Sequence, residues 1–248
     1  MKRMHWKLLL SVILVGLSVL LHLLHYTIFR DANHILIYLL GDLAFLPISV
    51  LFVTLVVDQL MAKQEKRAMF RKLNMVIGAF FSEAGTGLLK IFWKFDASPE
   101  YLANHLVFNK DWKQGDYYQL KKIFNSHKPE IDIHKGDIEH LKKFLGEKRE
   151  FLLRLLENPN LLEHETFTVL LWAVFHLTEE LCARPDFKHL PEADYEHLAN
   201  DIKRAYSLLI VEWIIYMRHL YNSYPYLFSL AVRTNPFDIK ASAIIKDK

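Results

Sequence analysis

The chain opens with two long apolar segments that are separated by only five residues. Residues 8–29 contain no Asp, Glu, Lys or Arg, and residues 35–57 contain a single charged residue, Asp42. As helices that rise about 1.5 Å per residue, both are long enough to cross a hydrocarbon core of about 30 Å. The sequence therefore predicts a transmembrane helical hairpin over residues 1–60.

Basic residues flank this predicted hairpin on one side. Lys2, Arg3 and Lys7 precede the first span, whereas the connecting loop has only Arg30, offset by Asp31. Because positive flanks remain in the cytoplasm, we expect a multi-pass membrane protein with both termini cytoplasmic. A cleaved signal peptide fits poorly, since the first apolar run is too long and a second follows at once. The residues after the second span are expected to bind membrane lipid rather than nucleic acid: Lys63, Lys66, Arg67, Arg71 and Lys72.

Asp42 is the most informative polar residue within the predicted spans. It lies seven positions into the second span, and His22 lies seven positions before the end of the first. In an antiparallel hairpin the two residues reach the same depth, which predicts a His22–Asp42 pair. Two interpretations stay open: a polar contact that holds the helices together, or a site linked to protons or ions, because histidine titrates near neutrality. Pro47 is expected to kink the second helix.

The apolar spacing after the hairpin is helical, and no segment alternates as a strand would. The predicted fold is all-α: the hairpin, a juxtamembrane helix over 61–95, a cytoplasmic helical bundle over 96–234 and a mobile tail over 235–248. Asp137 is a predicted N-cap, and Asn158 with Pro159 is predicted to start the next helix. The centre of that helix, 167–177, is apolar nearly all round, so the helix is expected to be the most buried of the domain. At 11 residues this apolar centre is too short to be a third span. The predicted helices of the bundle are 99–107, 116–126, 138–158, 159–182, 191–221 and 226–232.

Thirteen histidines raise the question of metal binding. His176 has Glu180 at i+4, and His197 has Asp201 at i+4 on the next predicted helix. An imidazole and a carboxylate at this spacing share one helix face, as metal sites in helical bundles require. If the two helices are neighbours, the four residues could hold a divalent metal, with Glu83 as a ligand from a third helix. The alternative is structural: the sequence has no Glu-x-x-His motif, so His197 and Asp201 would lie on a solvated face while His176 is a hydrogen-bonded core residue.

Other signatures of chemistry are weak. The single cysteine, Cys182, excludes an intrachain disulfide and is expected to be a small buried residue. Gly85-Thr86-Gly87 lacks the remainder of a phosphate-binding loop, and no nucleophile elbow is present.

Three functions remain after this comparison of motifs. The first is a membrane-anchored regulatory, sensor or scaffold module that forms a homo-oligomer, binds a cytoplasmic protein partner and requires no cofactor. The second is a subunit of an oligomeric ion channel or transporter that uses Asp42. The third is a membrane-bound metalloenzyme with the His176, Glu180, His197 and Asp201 site.

Overall fold

The computed structural model describes residues 2–107, 114–126, 128–159, 161 and 164–245, with the side chains of 2–8, 32, 34, 66–72, 114, 125 and 126 left out. Over these residues the fold is all-α, as predicted, and the only strand-like feature is an isolated bridge between Asp96 and Ile131. The helices are α1 Lys2–Phe29, α2 Ala32–Phe80, α3 Thr86–Trp93, α4 Pro99–Leu106, α5 Gln114–Ser126, α6 Ile138–Leu156, α7 Glu165–Ala183, α8 Glu192–Ser223 and α9 Pro225–Arg233, with a π-helical turn at Phe81–Gly85.

The chain divides into two compact units, Met1–Lys66 and Arg67–Lys248. In the first unit, which we call the N-terminal unit, the segments Leu9–Phe29 and Ile35–Glu65 have mean hydropathies of 2.1 and 2.3, and none of their residues is buried. Both are long and apolar enough to cross a membrane. Helix α2 continues through Pro47 without interruption.

The second unit, which we call the helical domain, contains two more helical segments that are long and apolar enough to cross a membrane. They are Leu73–Trp93 and Glu165–Ala183, which are 50% and 39% buried within the domain. The 11-residue apolar centre, predicted to be too short for a span, lies within a 19-residue helix that is long and apolar enough by length and composition. Its burial, rather than its length, marks it as a core helix.

Helix α7 packs between α6 and α8, and α8 also contacts α3, α5 and α9. The burial predicted for residues 167–177 holds for one face, where Phe167, Leu170 and Leu177 are inaccessible to solvent. On the other face Val169 and Trp172 are 48% and 57% exposed, so the prediction that this is the most buried helix of the domain is wrong. Phe167 meets Phe80 edge to face, with ring centroids 5.3 Å apart. Aromatic and aliphatic side chains thus fill the centre of the domain, including Phe92, Leu170, Leu171, Val174, Leu177, Ile202, Tyr206, Leu209 and Met217.

The predicted helix starts are correct for α6 and wrong for α7. The Asp137 carboxylate accepts a hydrogen bond from the His140 N–H at 2.9 Å, which confirms it as an N-cap. Asn158 and Pro159 instead begin a tight turn, and α7 starts six residues after Pro159, at Glu165. His164 caps it, because its Nδ1 accepts a hydrogen bond from the Phe167 N–H at 3.3 Å.

The segment after α9 does not begin as a mobile tail. Asn235 donates a hydrogen bond from its side-chain amide to the Leu106 carbonyl at 2.7 Å. Phe237 is fully buried and packs edge to face on Trp213, with centroids 5.2 Å apart. Residues 235–237 therefore pack on the domain, whereas the mobility predicted for the rest of the tail stays a prediction. The prediction for Cys182 is wrong, since this residue is exposed.

Candidate metal centre

Helices α7 and α8 form a hairpin whose ends are held together by an arginine. Arg184 follows α7, and its guanidinium donates two hydrogen bonds to the Asp194 carboxylate in the first turn of α8, at 2.6 and 2.8 Å. This paired geometry fixes the orientation of both side chains. The hairpin therefore brings the predicted histidines and carboxylates of the two helices to one place.

Four side chains converge at this place, and they are the four that the i+4 spacing predicted. The Asp201 Oδ2 atom lies 3.4 Å from the Nε2 atoms of both His176 and His197. The Glu180 carboxylate lies 3.8 Å from His176 Nε2 through Oε1, and 3.7 Å from His197 Nε2 through Oε2. The ligand atoms of His176, Glu180 and His197 thus all lie within 4.8 Å of one another, and Asp201 contacts both imidazoles.

Two arginines bind the carboxylates from the outside. Arg204 Nη1 lies 3.3 Å from Asp201 Oδ1, so the other oxygen, Oδ2, faces the histidines. Arg184 Nη1 donates to Glu180 Oε2 at 2.8 Å, which leaves Oε1 toward His176. The hydrogen bond from Arg184, helped by the two nearby histidines, lowers the pKa of Glu180. Such outer contacts orient ligands and keep them deprotonated at established metal sites.

The cluster is buried on one side and open on the other. Asp201 is only 3% exposed, and its Oδ2 atom has no hydrogen-bond partner of good geometry. The side chains of His176 and His197 are 47% and 49% exposed. The structural alternative drawn from the sequence is therefore wrong for Asp201, which is buried, and for His176, which is not a core residue, whereas His197 is exposed as that alternative expected. A buried carboxylate oxygen requires compensation, which here must come from the two neighbouring imidazoles or from a bound cation.

The distances suit a transition-metal ion. Zinc binds imidazole nitrogen and carboxylate oxygen at about 2.0–2.2 Å, so neighbouring ligand atoms in a tetrahedral site lie about 3.3–3.6 Å apart. The imidazole–carboxylate distances here are 3.4–3.8 Å, and the ligand atoms of His176, Glu180 and His197 all lie within 4.8 Å of one another. Nitrogen ligands favour first-row transition metals over Ca²⁺ and Mg²⁺, which prefer oxygen alone.

Comparison with known proteins places the chain in a family. It is 45% identical over 242 residues, 98% of this chain and 97% of the relative, to a protein of Methanocaldococcus jannaschii described as "Uncharacterized protein MJ1433". The chain belongs to the MJ1433 family. The family's N-terminal helical domain matches residues 2–61 and its C-terminal helical domain matches residues 69–233. No solved structure matches the chain.

All four clustered residues lie within the MJ1433 C-terminal helical domain. Glu83, the predicted ligand from a third helix, lies in the same domain but outside the cluster, where its carboxylate pairs with Lys148 Nζ at 3.3 Å. The sequence pattern did not lead to Arg184 and Arg204 as the partners of the Glu180 and Asp201 carboxylates. Arg184 at i+4 from Glu180 is the signal that could have identified the first of them.

Within the MJ1433 N-terminal domain, the predicted His22–Asp42 pair is not formed. His22 Nδ1 lies 2.9 Å from the Ser18 carbonyl in its own helix, both side chains are exposed, and no hydrogen bond or ion pair joins them in the described part of the chain. Of the predicted lipid-facing cations, Lys63 is exposed. The other four side chains fall outside the described residues: Lys66, Arg67, Arg71 and Lys72.

A second buried carboxylate of this MJ1433-family chain lies further along α8. Glu212 is 2% exposed, and neither carboxylate oxygen has a hydrogen-bond partner of good geometry. Burial raises the pKa of Glu212, although the nearby Thr166 hydroxyl, His164 and Lys121 oppose that effect. No Lys, Arg or His side chain forms an ion pair with it among the described residues, and it is not part of the metal-ligand group.

Proposed function

We propose that this protein is a membrane-attached regulatory module whose helical domain binds a divalent transition-metal ion between α7 and α8. The convergence of His176, Glu180, His197 and Asp201 at 3.4–3.8 Å supports this proposal. A cation at the centre would satisfy the buried Asp201 Oδ2 atom, which has no hydrogen-bond partner. It would also occupy a site with solvent on one side, where further ligands are water.

A regulatory role follows from where the ligands come from. Each helix contributes one imidazole and one carboxylate, so a bound ion cross-links α7 and α8. An ion that binds only the folded hairpin stabilises it by an amount that rises with the logarithm of the ion's concentration above the dissociation constant, which is the physical basis of a sensor. The apolar segments 8–29 and 35–57 would hold this module at the cytoplasmic face of the membrane, where a homo-oligomer or a protein partner could respond to it.

Metal analysis of the full-length protein in detergent tests the site. The protein is stripped with a chelator, loaded with Zn²⁺ or Co²⁺, and freed of excess metal before elemental analysis. We expect one ion per chain and a visible Co²⁺ spectrum of low coordination number. His176→Ala and Asp201→Asn are each expected to weaken binding at least tenfold, because each removes a direct ligand or its charge.

His140→Ala is the matched control. His140 is an exposed histidine on α6, and its loss is expected to leave the stoichiometry unchanged. The metal-binding proposal would be overturned if the unmodified protein bound much less than one ion per chain. It would also be overturned if His140→Ala and His176→Ala lost equal amounts of bound metal. The four residues would then be an ion-pair network that joins the two helices.

Membrane attachment and orientation are tested separately. The protein is expected to float with lipid vesicles through a density gradient. The single thiol, Cys182, is exposed, so a membrane-impermeant maleimide should label it in inside-out vesicles and not in intact cells. Labelling in intact cells would contradict the cytoplasmic location of the helical domain.

A further inference from the structure

A cavity of about 700 Å³ lies in the helical domain, away from the metal-ligand cluster. The last turns of α2, the π turn, α8 and α9 enclose it. Its volume is within the range of binding sites for small molecules, about 300–1,000 Å³. One wall is the π turn Phe81–Gly85, a type of turn that occurs frequently at functional sites. Aromatic and aliphatic side chains form much of its surface, including Phe81, Trp213, Tyr216, Leu220 and Leu230.

The cavity carries no fixed charge. None of the residues that line it is Asp, Glu, Lys or Arg. The lining has one histidine, His219. Burial lowers the pKa of His219, which favours its neutral imidazole. Hydrogen-bonding groups are nevertheless present, in the hydroxyls of Ser82 and Thr86 and the amide of Asn74. The lining thus suits an apolar molecule with an uncharged polar group.

The cavity also lies close to a candidate membrane span along the chain. Glu65 is the last residue of that span, and Asn74 is the first residue that lines the cavity. Met75, Leu227 and Leu230 line the cavity yet are 63%, 39% and 43% exposed, so its surface opening is apolar. In a chain that also carries candidate membrane spans, an exposed apolar opening favours a ligand that arrives from lipid.

We propose that this cavity binds a neutral single-chain amphiphile drawn from the membrane, of the monoacylglycerol or long-chain alcohol type. The hydrocarbon chain packs against Phe81, Trp213 and Leu230, and the uncharged head group hydrogen-bonds to Ser82 or Thr86. An ionised head group is excluded, because the cavity offers no counter-charge and burying an unpaired charge is costly. This inference rests on the proposed membrane attachment and is independent of the metal site.

Photo-crosslinking in vesicles tests the proposal with the full-length protein. The probe is a monoacylglycerol that carries a diazirine on its acyl chain, incorporated into phosphatidylcholine vesicles. After irradiation, peptide mass spectrometry is expected to find label in residues 74–86 and 213–231. Excess monooleoylglycerol is expected to remove that label, while the background label on residues 9–57 persists.

Gly78→Leu is designed to fill the cavity. A Cβ atom at Gly78 would lie 3.7 Å from the Tyr216 ring, an ordinary contact, so the rest of the leucine side chain has to project into the open space. We expect at least a fivefold loss of the competed label. Gly115→Leu is the matched control, since nothing lies within 4 Å of a Cβ atom there, and its labelling is expected to match that of the unmodified protein.

Thr86→Val provides a second variant that preserves shape and removes a hydroxyl. It is expected to reduce the competed label several-fold while the melting temperature stays unchanged, which separates binding from folding. A diazirine fatty acid at pH 8, as the anionic counterpart, is expected to label the cavity peptides more weakly than the neutral probe. The proposal would be overturned if excess monooleoylglycerol did not reduce the label on the cavity peptides. It would also be overturned if that label persisted in Gly78→Leu. Flotation of the same samples shows independently whether the protein is attached to the vesicles.

Discussion

The two halves of α8 bury carboxylates in opposite surroundings. Asp201 is 3% exposed and lies 3.4 Å from the Nε2 atoms of His176 and His197. Glu212, about three turns later, is 2% exposed but faces no ion-pair partner in the described residues, and burial raises its pKa. Burial is the same at both positions, so burial alone does not define a ligand site. The convergence of several donors on one point distinguishes the first half of the helix from the second.

The largest change in the free energy of unfolding is expected in the second half of α8, where Trp213 packs on Phe237. Phe237→Ala removes a fully buried ring from its contact with Trp213. We expect the free energy of unfolding to fall by about 3–5 kcal/mol, as for other buried phenylalanines. Thermal unfolding in detergent, followed by circular dichroism, measures the change. Ile239→Ala, at an 86% exposed position, serves as the control, and equal stabilities of the two variants would contradict the anchored tail.

The first half of α8 is expected to respond to metal instead. At a free Zn²⁺ concentration one hundred times the dissociation constant, binding should stabilise the folded state by about 2.7 kcal/mol. The melting temperature should therefore rise in the unmodified protein and in Glu212→Gln, but not in Asp201→Asn. A Zn²⁺-dependent rise that survives in Asp201→Asn would place the ion elsewhere.

Neutralising the two carboxylates without metal should change stability in opposite directions. Asp201→Asn weakens the pairing with Arg204 and both histidines, which costs about 1–2 kcal/mol. Glu212→Gln removes a charge that has no ion-pair partner, which should stabilise the fold by about 1 kcal/mol near neutral pH. Denaturant titrations of both variants compare the two signs directly.

The effect of Glu212→Gln should also depend on pH. The pKa of Glu212 in the folded protein lies above its ordinary value of 4.5, so the folded state retains the proton to a higher pH than the unfolded state. The unmodified protein therefore loses stability as the pH rises from 4.5 through the folded pKa. The advantage of glutamine should grow across the same interval, and an advantage that shrinks with rising pH would contradict a buried ionising carboxyl group.

The last change in the free energy of unfolding, no larger than that of Glu212→Gln, is expected outside the cluster, at Arg184. Its hydrogen bonds lower the pKa values of Glu180 and Asp194 below their ordinary values of 4.5 and 3.8. That stabilisation is complete above pH 4.5 and is lost as the pH falls through the lowered values. Arg184→Gln should therefore cost about 1 kcal/mol at pH 7, and the difference from the unmodified protein should narrow below pH 4. A difference that widens in acid would contradict the assignment.

Local spacing predicted much of the candidate site. The i+4 relation places His176 beside Glu180 and His197 beside Asp201 whatever the rest of the fold does. What the sequence could not provide was the packing of α7 on α8, which decides that the two pairs meet. The burial of Asp201 depends on the same packing, so a polar residue on an amphipathic helix was easily mistaken for a solvated one.

The errors in the fold have a similar origin. Asn158 and Pro159 have the residue types of a helix start, but the chain first makes a turn and His164 caps α7 instead. Phe237 anchors the tail through a contact with Trp213, which lies 24 positions away in the sequence. The His22–Asp42 pair was inferred from depth alone, and depth does not fix the rotation of either helix. Each of these features depends on contacts that local pattern does not encode.

The exposed position of Cys182 makes it possible to label the protein at a single native site. It is the only thiol in the chain, and it lies two residues after Glu180 on the helix that carries two of the four proposed metal ligands. A fluorophore attached there needs no engineered cysteine and no removal of native ones. Quenching of that fluorophore by Cu²⁺ or Co²⁺ would report occupancy of the neighbouring cluster in real time, in detergent or in the membrane.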